Sequence, residues 1–259
     1  MSLILSIETA TRTCSVALHR EGVLLSLQEV HLEKSHSSLL HLMIDSVLAY
    51  AEVGRGELDG IAISMGPGSY TGLRIGASSA KGLCYALDIP LVGVGTLEAM
   101  AYGVDQYNAG GAWLCPMIDA RRMEVFCRLQ TSETFGNAHQ GQELLPTQAL
   151  VIDQHAFRDF LEPQGADHRS ADHRNADHRG ADHHEVWFFG NGSDKCRDVL
   201  GAYPSARFIS GIYPSARWVG QIATAKFERQ EFEDIAYSVP HYGKAFYTTQ
   251  ARSKKQSGR

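Results

Sequence analysis

Residues 64–76 read SMGPGSYTGLRIG and hold four glycines, one proline and one arginine. Gly66, Gly68 and Ser69 stand just before a helix that the spacing starts near Thr71. Free N–H groups and the helix dipole at such a point favour an anion. The stretch is not a Walker A loop, because no Lys-Ser/Thr pair follows the glycines. It is not a dinucleotide fingerprint either, because the glycine spacing differs and no acidic residue stands at the required distance. The same residues carry a second reading. Gly72, Gly76 and Ala80 fall at i, i+4 and i+8, with Ser79 and Leu83 beside them. Glycine inside a helix costs about 1 kcal/mol against alanine. A stripe of small residues therefore points to close approach of another helix, from this chain or from a partner.

Four other groups have residue types that do chemistry. Glu8, Thr9 and Thr11 of IETAT offer a carboxylate and two hydroxyls at the end of a first strand. They suit a phosphate or a water-held magnesium ion, or simply a polar turn. His36 and His41 are five apart, which places them about 140° apart on a helix and argues against a shared metal. The sequence DARRMEVF puts Asp119, Arg121, Arg122 and Glu124 on a tight turn. It reads as a solvated hairpin, a contact surface or a nucleotide-facing edge. Residues 165–185 repeat the unit ADHR and carry five of the twelve histidines. Period five matches neither helix nor strand, so the repeat reads as a disordered surface insert. No Ser-His-Asp or Cys-His arrangement is defensible. The five cysteines are scattered without CxxC spacing and read as thiols of a reducing cytoplasm.

The elements that must position these residues follow from periodicity. LILSI, CSVAL and VLLSLQEV are three short strands joined by polar turns. Leu39, Leu40, Met43, Ile44, Val47 and Leu48 recur at helical spacing. Strand GIAIS, the glycine loop with its helix, strand PLVGV and helix TLEAMAYGV complete a β-β-β-α-β-α-β-α order, that of a ribonuclease-H-like half. A second unit starts near Trp113 with two strands around DARRM. The following LLPTQALVIDQHAFRDFL reads as a polar turn and a helix. YPSAR occurs at Tyr203 and again at Tyr213, where it leads into an amphipathic helix. The end, ARSKKQSGR, is a basic tail.

The chain has 259 residues, 44% hydrophobic and 20% charged, enough for two modest domains. A formal net charge of −5 argues against a whole-surface nucleic-acid clamp and leaves room for a local basic patch. No apolar run reaches the roughly 20 residues that span a bilayer, and the first residues do not read as a signal peptide.

Together, ILSIETATRTCSVAL, HSSLLHLMIDSVL, GIAISMGPGSYTGLRIGASSAKGLCYALDIPLVGVGTLEAMA and DARRMEVF resemble the TsaB family, also called YeaZ. The resemblance is dense over residues 3–103, clear at 117–126 and weaker through FFGNGS and VPHYGKAF. It implies an α/β actin-like ATPase fold of two ribonuclease-H-like halves, the second shortened. The halves would cover residues 1–106 and 107–214. A C-terminal helix near 215–233 would return to the first half, and residues 234–259 would form a tail. The resemblance also implies a cytoplasmic complex with TsaD and the ATPase TsaE. That complex transfers a threonylcarbamoyl group to N6 of adenosine in ANN-reading tRNAs. TsaD carries the metal and the chemistry, and the TsaB-like chain activates it. Catalytic and metal-binding residues are then expected to be absent here, and Glu8 stands where a catalytic relative has aspartate.

The implied partner interface is His36, Leu39, Leu40, Met43, Gly72, Arg74, Gly76, Ser79, Ala80 and Leu83. It would be used with TsaD, or with a second copy when the chain is alone. On this reading Gly76→Leu leaves the chain folded and abolishes TsaD binding. Glu8, Thr9, Thr11, Gly68 and Ser69 remain the candidate nucleotide or anion contacts, with ATP or ADP at the subunit junction. Contact with tRNA is expected only through the complex, and no membrane partner is expected. The alternatives are an autonomous actin-fold kinase or metallopeptidase, and a self-contained regulatory homodimer.

Overall fold

Six consecutive buried residues, LILSIE, form strand β1 (Leu3–Glu8). A strand buried on both faces needs cover on both sides and a neighbour on each edge. β2 (Thr13–Arg20) pairs antiparallel on one edge and carries β3 (Val23–His31) beyond it. β4 (Gly60–Ser64) pairs parallel on the other edge, followed by β5 (Leu91–Val94). Parallel neighbours require crossovers. Helices α1 (His36–Tyr50) and α2 (Tyr70–Leu87) supply them and cover one face. The structure, a computed structural model, describes residues 2–32, 36–109, 111–132, 141–162 and 184–243. Readings of the ADHR repeat up to residue 183, and of the basic tail, lie outside these residues.

Helix α3 (Thr96–Asp105) leads to the second half. There β6 (Trp113–Asp119), β7 (Glu124–Gln130) and β8 (Glu143–Val151) form an antiparallel meander. Short helix α4 (Arg158–Leu161) precedes β9 (Val186–Phe189). Short helix α5 (Arg197–Leu200) precedes β10 (Ala206–Ile209). The two sheets run β3-β2-β1-β4-β5 and β8-β7-β6-β9-β10, with the same pairing directions at every step. Two ribonuclease-H-like halves of an actin-like ATPase fold are therefore present. In the second, the corresponding crossovers hold four-residue helices among the described residues, where the first has helices of 15 and 18 residues.

One expectation is corrected. Residues 144–161 were expected to form a turn and a helix, yet the first part, to Val151, belongs to β8 and only the end is helical. Pairing with β7 completes the meander, and that tertiary demand overrides a weak local preference.

Helix α6 (Ala216–Glu228) lies on the opposite face of the first sheet, over Ile4, Ala62 and Val92. The approach is close, because a Cβ on Gly220 would overlap His19 and Ser6. α3 joins the halves through Leu97, Met100 and Val104 against Leu114, Ile118, Phe126 and Phe189. All five cysteines are free and buried. Burial pushes their thiols up, Cys14 and Cys84 to about 11 and Cys127 to about 12, so they are inert.

Candidate functional site

The glycine loop leaves β4 at Ser64 and turns at Gly66, whose φ of 98° is open to glycine and rare for any other residue. Ser69 caps α2 by accepting the Gly72 N–H at 3.3 Å. The next contact decides what the loop does. The Ser69 N–H donates to the Ala10 carbonyl at 2.6 Å. A Cβ on Gly68 would overlap that same carbonyl, and one on Gly72 would overlap the carbonyl of Thr9. The loop is thus closed on the chain's own β1–β2 turn.

Glu8, Thr9, Thr11, Gly68 and Ser69 do meet, but not as an open anion cradle. Glu8 and Thr9 are fully buried and Thr11 nearly so. Thr11 Oγ1 accepts the Thr13 N–H, and Glu8 Oε1 accepts the Ala10 N–H at 2.5 Å. Burial raises the Glu8 carboxyl to about 7, against the smaller lowering effect of the Ala10 N–H. The carbonyl oxygens of Thr9 and Ala10, rather than solvent, thus face the glycines of the loop.

The helical stripe is corrected in direction. Gly72, Gly76 and Ala80 face inward, as do Leu40 and Met43. A Cβ on Gly76 would overlap Thr9 Oγ1 and press on Ile63. The two glycines admit the chain's own β1–β2 turn, and Ala80 is buried in the core of the first half. His36 is buried, Leu39, Ser79 and Leu83 are half-buried, and Arg74 is exposed. The outward face of α2 carries Thr71, Arg74, Ser78, Gly82, Tyr85 and Ala86. Outside its own turn of helix, no described atom lies within 4 Å of a Cβ built on Gly82. The phase of the apolar residues held this signal, since Leu73 and Ala77 share a face with Gly72, Gly76 and Ala80.

Between α1 and α2 runs an open groove of about 500 Å³, lined by Ser37, His41, Tyr70, Arg74, Ser78 and Ser79 among others. His41 Nε2 lies 3.4 Å from Ser79 Oγ. Arg74 donates to the Tyr70 hydroxyl at 2.8 Å, with its guanidinium 5.3 Å from the ring centre. Leu42 (62% exposed) and Tyr85 (86% exposed) add large apolar surface to these helices.

Two further features border these elements, and the first went unread in the sequence. Residues 233–243 run as a strap across the first half. Glu233 N–H donates to Leu91 O, and His241 N–H donates to Met65 O. Lys81 donates to Ser238 O. The strap ends at a cleft of about 700 Å³ bordered by Gly66, Glu98, Arg128, Thr147 and Tyr242. The second feature is the β6–β7 turn, which segment 190–195 holds from behind. Lys195 pairs with Asp119 and donates to the carbonyls of Arg122 (2.7 Å) and Glu124 (2.6 Å). Partial burial pushes the Asp119 carboxyl up. The Lys195 ammonium, the Arg121 N–H and nearby Arg12 outweigh it and hold the group below its ordinary value. Among the described residues, no three His, Cys, Asp or Glu side chains form a group that could hold a metal ion.

Comparison with known proteins places this architecture. Residues 30–257 match the sequence model of the family described as TsaD, tRNA N6-adenosine threonylcarbamoyltransferase. The chain is 32% identical over 155 residues to the tRNA threonylcarbamoyladenosine biosynthesis protein TsaB of Haemophilus influenzae, covering 58% of this chain and 65% of that one. It is 36% identical over 126 residues to the protein of the same name from Escherichia coli, covering 48% of this chain and 52% of that one. The matched stretches thus span only about half to two thirds of these curated relatives. Among solved structures, YeaZ from Pseudomonas aeruginosa superposes with a TM-score of 0.71 at 24% identity, covering 93% of this chain and all of that one. At that identity the likeness concerns the fold.

Proposed function

The chain belongs to the TsaB/YeaZ family, and from that premise we propose that it is the non-catalytic subunit that binds and activates a TsaD-type transferase in tRNA threonylcarbamoyladenosine synthesis. The observation that carries the reading is the outward face of α1 and α2. It combines a groove, exposed Leu42 and Tyr85, and an uncrowded Gly82 at which another helix backbone can approach. The glycine loop supports the non-catalytic part, because its N–H and glycine surfaces are engaged by Thr9 and Ala10 of the same chain. A TsaE-type ATPase completes the assembly. Nucleotide, where it takes part, sits at the subunit junction rather than in this loop. Among the described residues no helix is long and apolar enough to cross a membrane. A tRNA-modifying role places the chain in the cytoplasm.

An omission assay tests the reading. TsaD- and TsaE-type proteins, ATP, a source of threonylcarbamoyl-adenylate and an ANN-reading tRNA are combined with and without this chain. The expected result is modified adenosine only when the chain is present, with no ATP turnover by the chain alone. Full modification without it would reject the reading. ATP hydrolysis or metal-dependent peptide cleavage by the chain alone would favour an autonomous enzyme.

A further inference from the structure

Among the described residues the β6–β7 turn is the only place where two consecutive non-glycine residues are left-handed, Arg121 at φ 69° and Arg122 at φ 51°. That backbone suits glycine, asparagine or aspartate. Arginine persists there only where the surroundings over-determine it. Here they do. Asn191 Oδ1 accepts the Asp119 N–H at 3.2 Å, and the Gly192 N–H donates to Met117 O at 3.1 Å. Lys195 ties Asp119 to the Arg122 and Glu124 carbonyls. The result is a rigid turn whose two arginine side chains are exposed. Neither has an ion-pair partner among the described residues, and the Asp119 charge is matched by Lys195.

The β1–β2 turn holds the equivalent place in the first half, because the two sheets share one topology. Its exposed Arg12 comes near enough to Asp119 to lower that carboxyl group. The β6–β7 turn thus presents two exposed guanidinium groups on a chain whose net charge is −5. Guanidinium forks match phosphate oxygens in pairs, and a pre-fixed backbone reduces the ordering needed on binding.

We propose that the Arg121–Arg122 turn contacts the phosphodiester backbone of RNA, so that this subunit touches the tRNA directly. The inference rests on the functional reading above and replaces the expectation that tRNA is met only through partners.

The test measures labelled tRNA binding at several salt concentrations, for the chain alone and for its complex with the TsaD- and TsaE-type proteins. The variant is Arg121→Asn/Arg122→Asn, which removes both charges while suiting the left-handed backbone. Its melting temperature is expected to hold or rise. Its tRNA affinity is expected to fall about tenfold or more, and the slope of log K against log salt to shrink by about 1–2. Arg121→Lys/Arg122→Lys should recover most of the slope. Unchanged tRNA affinity and slope in the folded Asn variant would overturn the proposal. Loss of complex assembly with unchanged tRNA binding would assign the arginines to an acidic protein surface instead. Altered binding of labelled ATP alone would assign them to a nucleotide. The chain-alone binding does not depend on the omission assay, so failure of this inference is distinguishable from failure of the functional reading.

Discussion

The rings of Tyr70 and Tyr242 lie with their centroids 4.7 Å apart, one on the first turn of α2 and the other near the end of the strap. Tyr70 also lines the α1–α2 groove, and Tyr242 lines the cleft near Gly66 and Glu98. An aromatic contact thus links the outer helical face to the cleft. Tyr242→Ala is expected to destabilise the protein by about 1 kcal/mol. It should also speed amide exchange at His241, whose N–H bonds Met65 O at 2.7 Å. Tyr242→Phe should restore both, and unchanged exchange in the Ala variant would show that the ring does not hold the strap.

Gly76 and Gly82 separate folding from docking. Gly76→Leu drives a side chain into Thr9 and Ile63, and is expected to cost more than about 3 kcal/mol or to prevent folding. Gly82→Leu meets open space within the chain. It is expected to keep the melting temperature and to weaken capture of the TsaD-type partner at least tenfold. Thermal melts and calorimetric titration read both. A stable Gly76→Leu protein would contradict the inward packing.

Glu8 gives stability a pH dependence of unusual sign. Its folded pKa of about 7 exceeds its ordinary value of 4.5, so the folded chain holds a proton that the unfolded chain releases. The stabilising contribution is full below pH 4.5 and is lost as pH rises towards 7, by roughly 3 kcal/mol. Glu8→Gln removes that loss. Urea unfolding should show the variant gaining on the parent between pH 5 and pH 8. Parallel curves for the two proteins would contradict this.

His19 acts in the opposite direction. Burial under α6 lowers its pKa from 6.5 to about 4, with an N-terminal α6 carbonyl opposing and the Arg217 charge adding to the effect. The neutral ring is tolerated above pH 6.5. Stability from this group falls as pH drops from 6.5 to 4, again by roughly 3 kcal/mol. His19→Gln is expected to flatten acid unfolding over that range, measured as the change in urea midpoint with pH. An unchanged acid limb would show that His19 does not titrate on unfolding.

Much of this was legible because the apolar periods were strong. LILSI and GIAIS are near-continuous apolar runs, and α1 carries its core residues at helical spacing, so local pattern and tertiary need agree. Elsewhere they part. YPSAR at Tyr203 leads into β10, while the same five residues at Tyr213 lead into α6. In the second copy Ser215 caps the helix by accepting the Arg217 N–H, and in the first Ser205 donates to Leu161 O. The difference comes from what each copy packs against, which five residues do not encode. The Gly72–Gly76–Ala80 stripe announced a close approach but not which backbone makes it, and the answer was a turn more than sixty residues upstream. The left-handed pair at Arg121 and Arg122 was unreadable for a similar reason. Arginine carries no signal for that backbone, and the groups that impose it lie some seventy residues away.

The position of α6 also has a consequence in time. The Ala216 N–H bonds Ser15 Oγ, a contact between residues 201 positions apart. The second sheet has all its strands once Ile209 has been made, before α6 begins. The first half is therefore synthesised first and finished last. Until α6 leaves the ribosome, Ile4, Ala62 and Val92 lack part of their cover. Any chaperone that attends this chain should find its apolar target on the half that was made earliest.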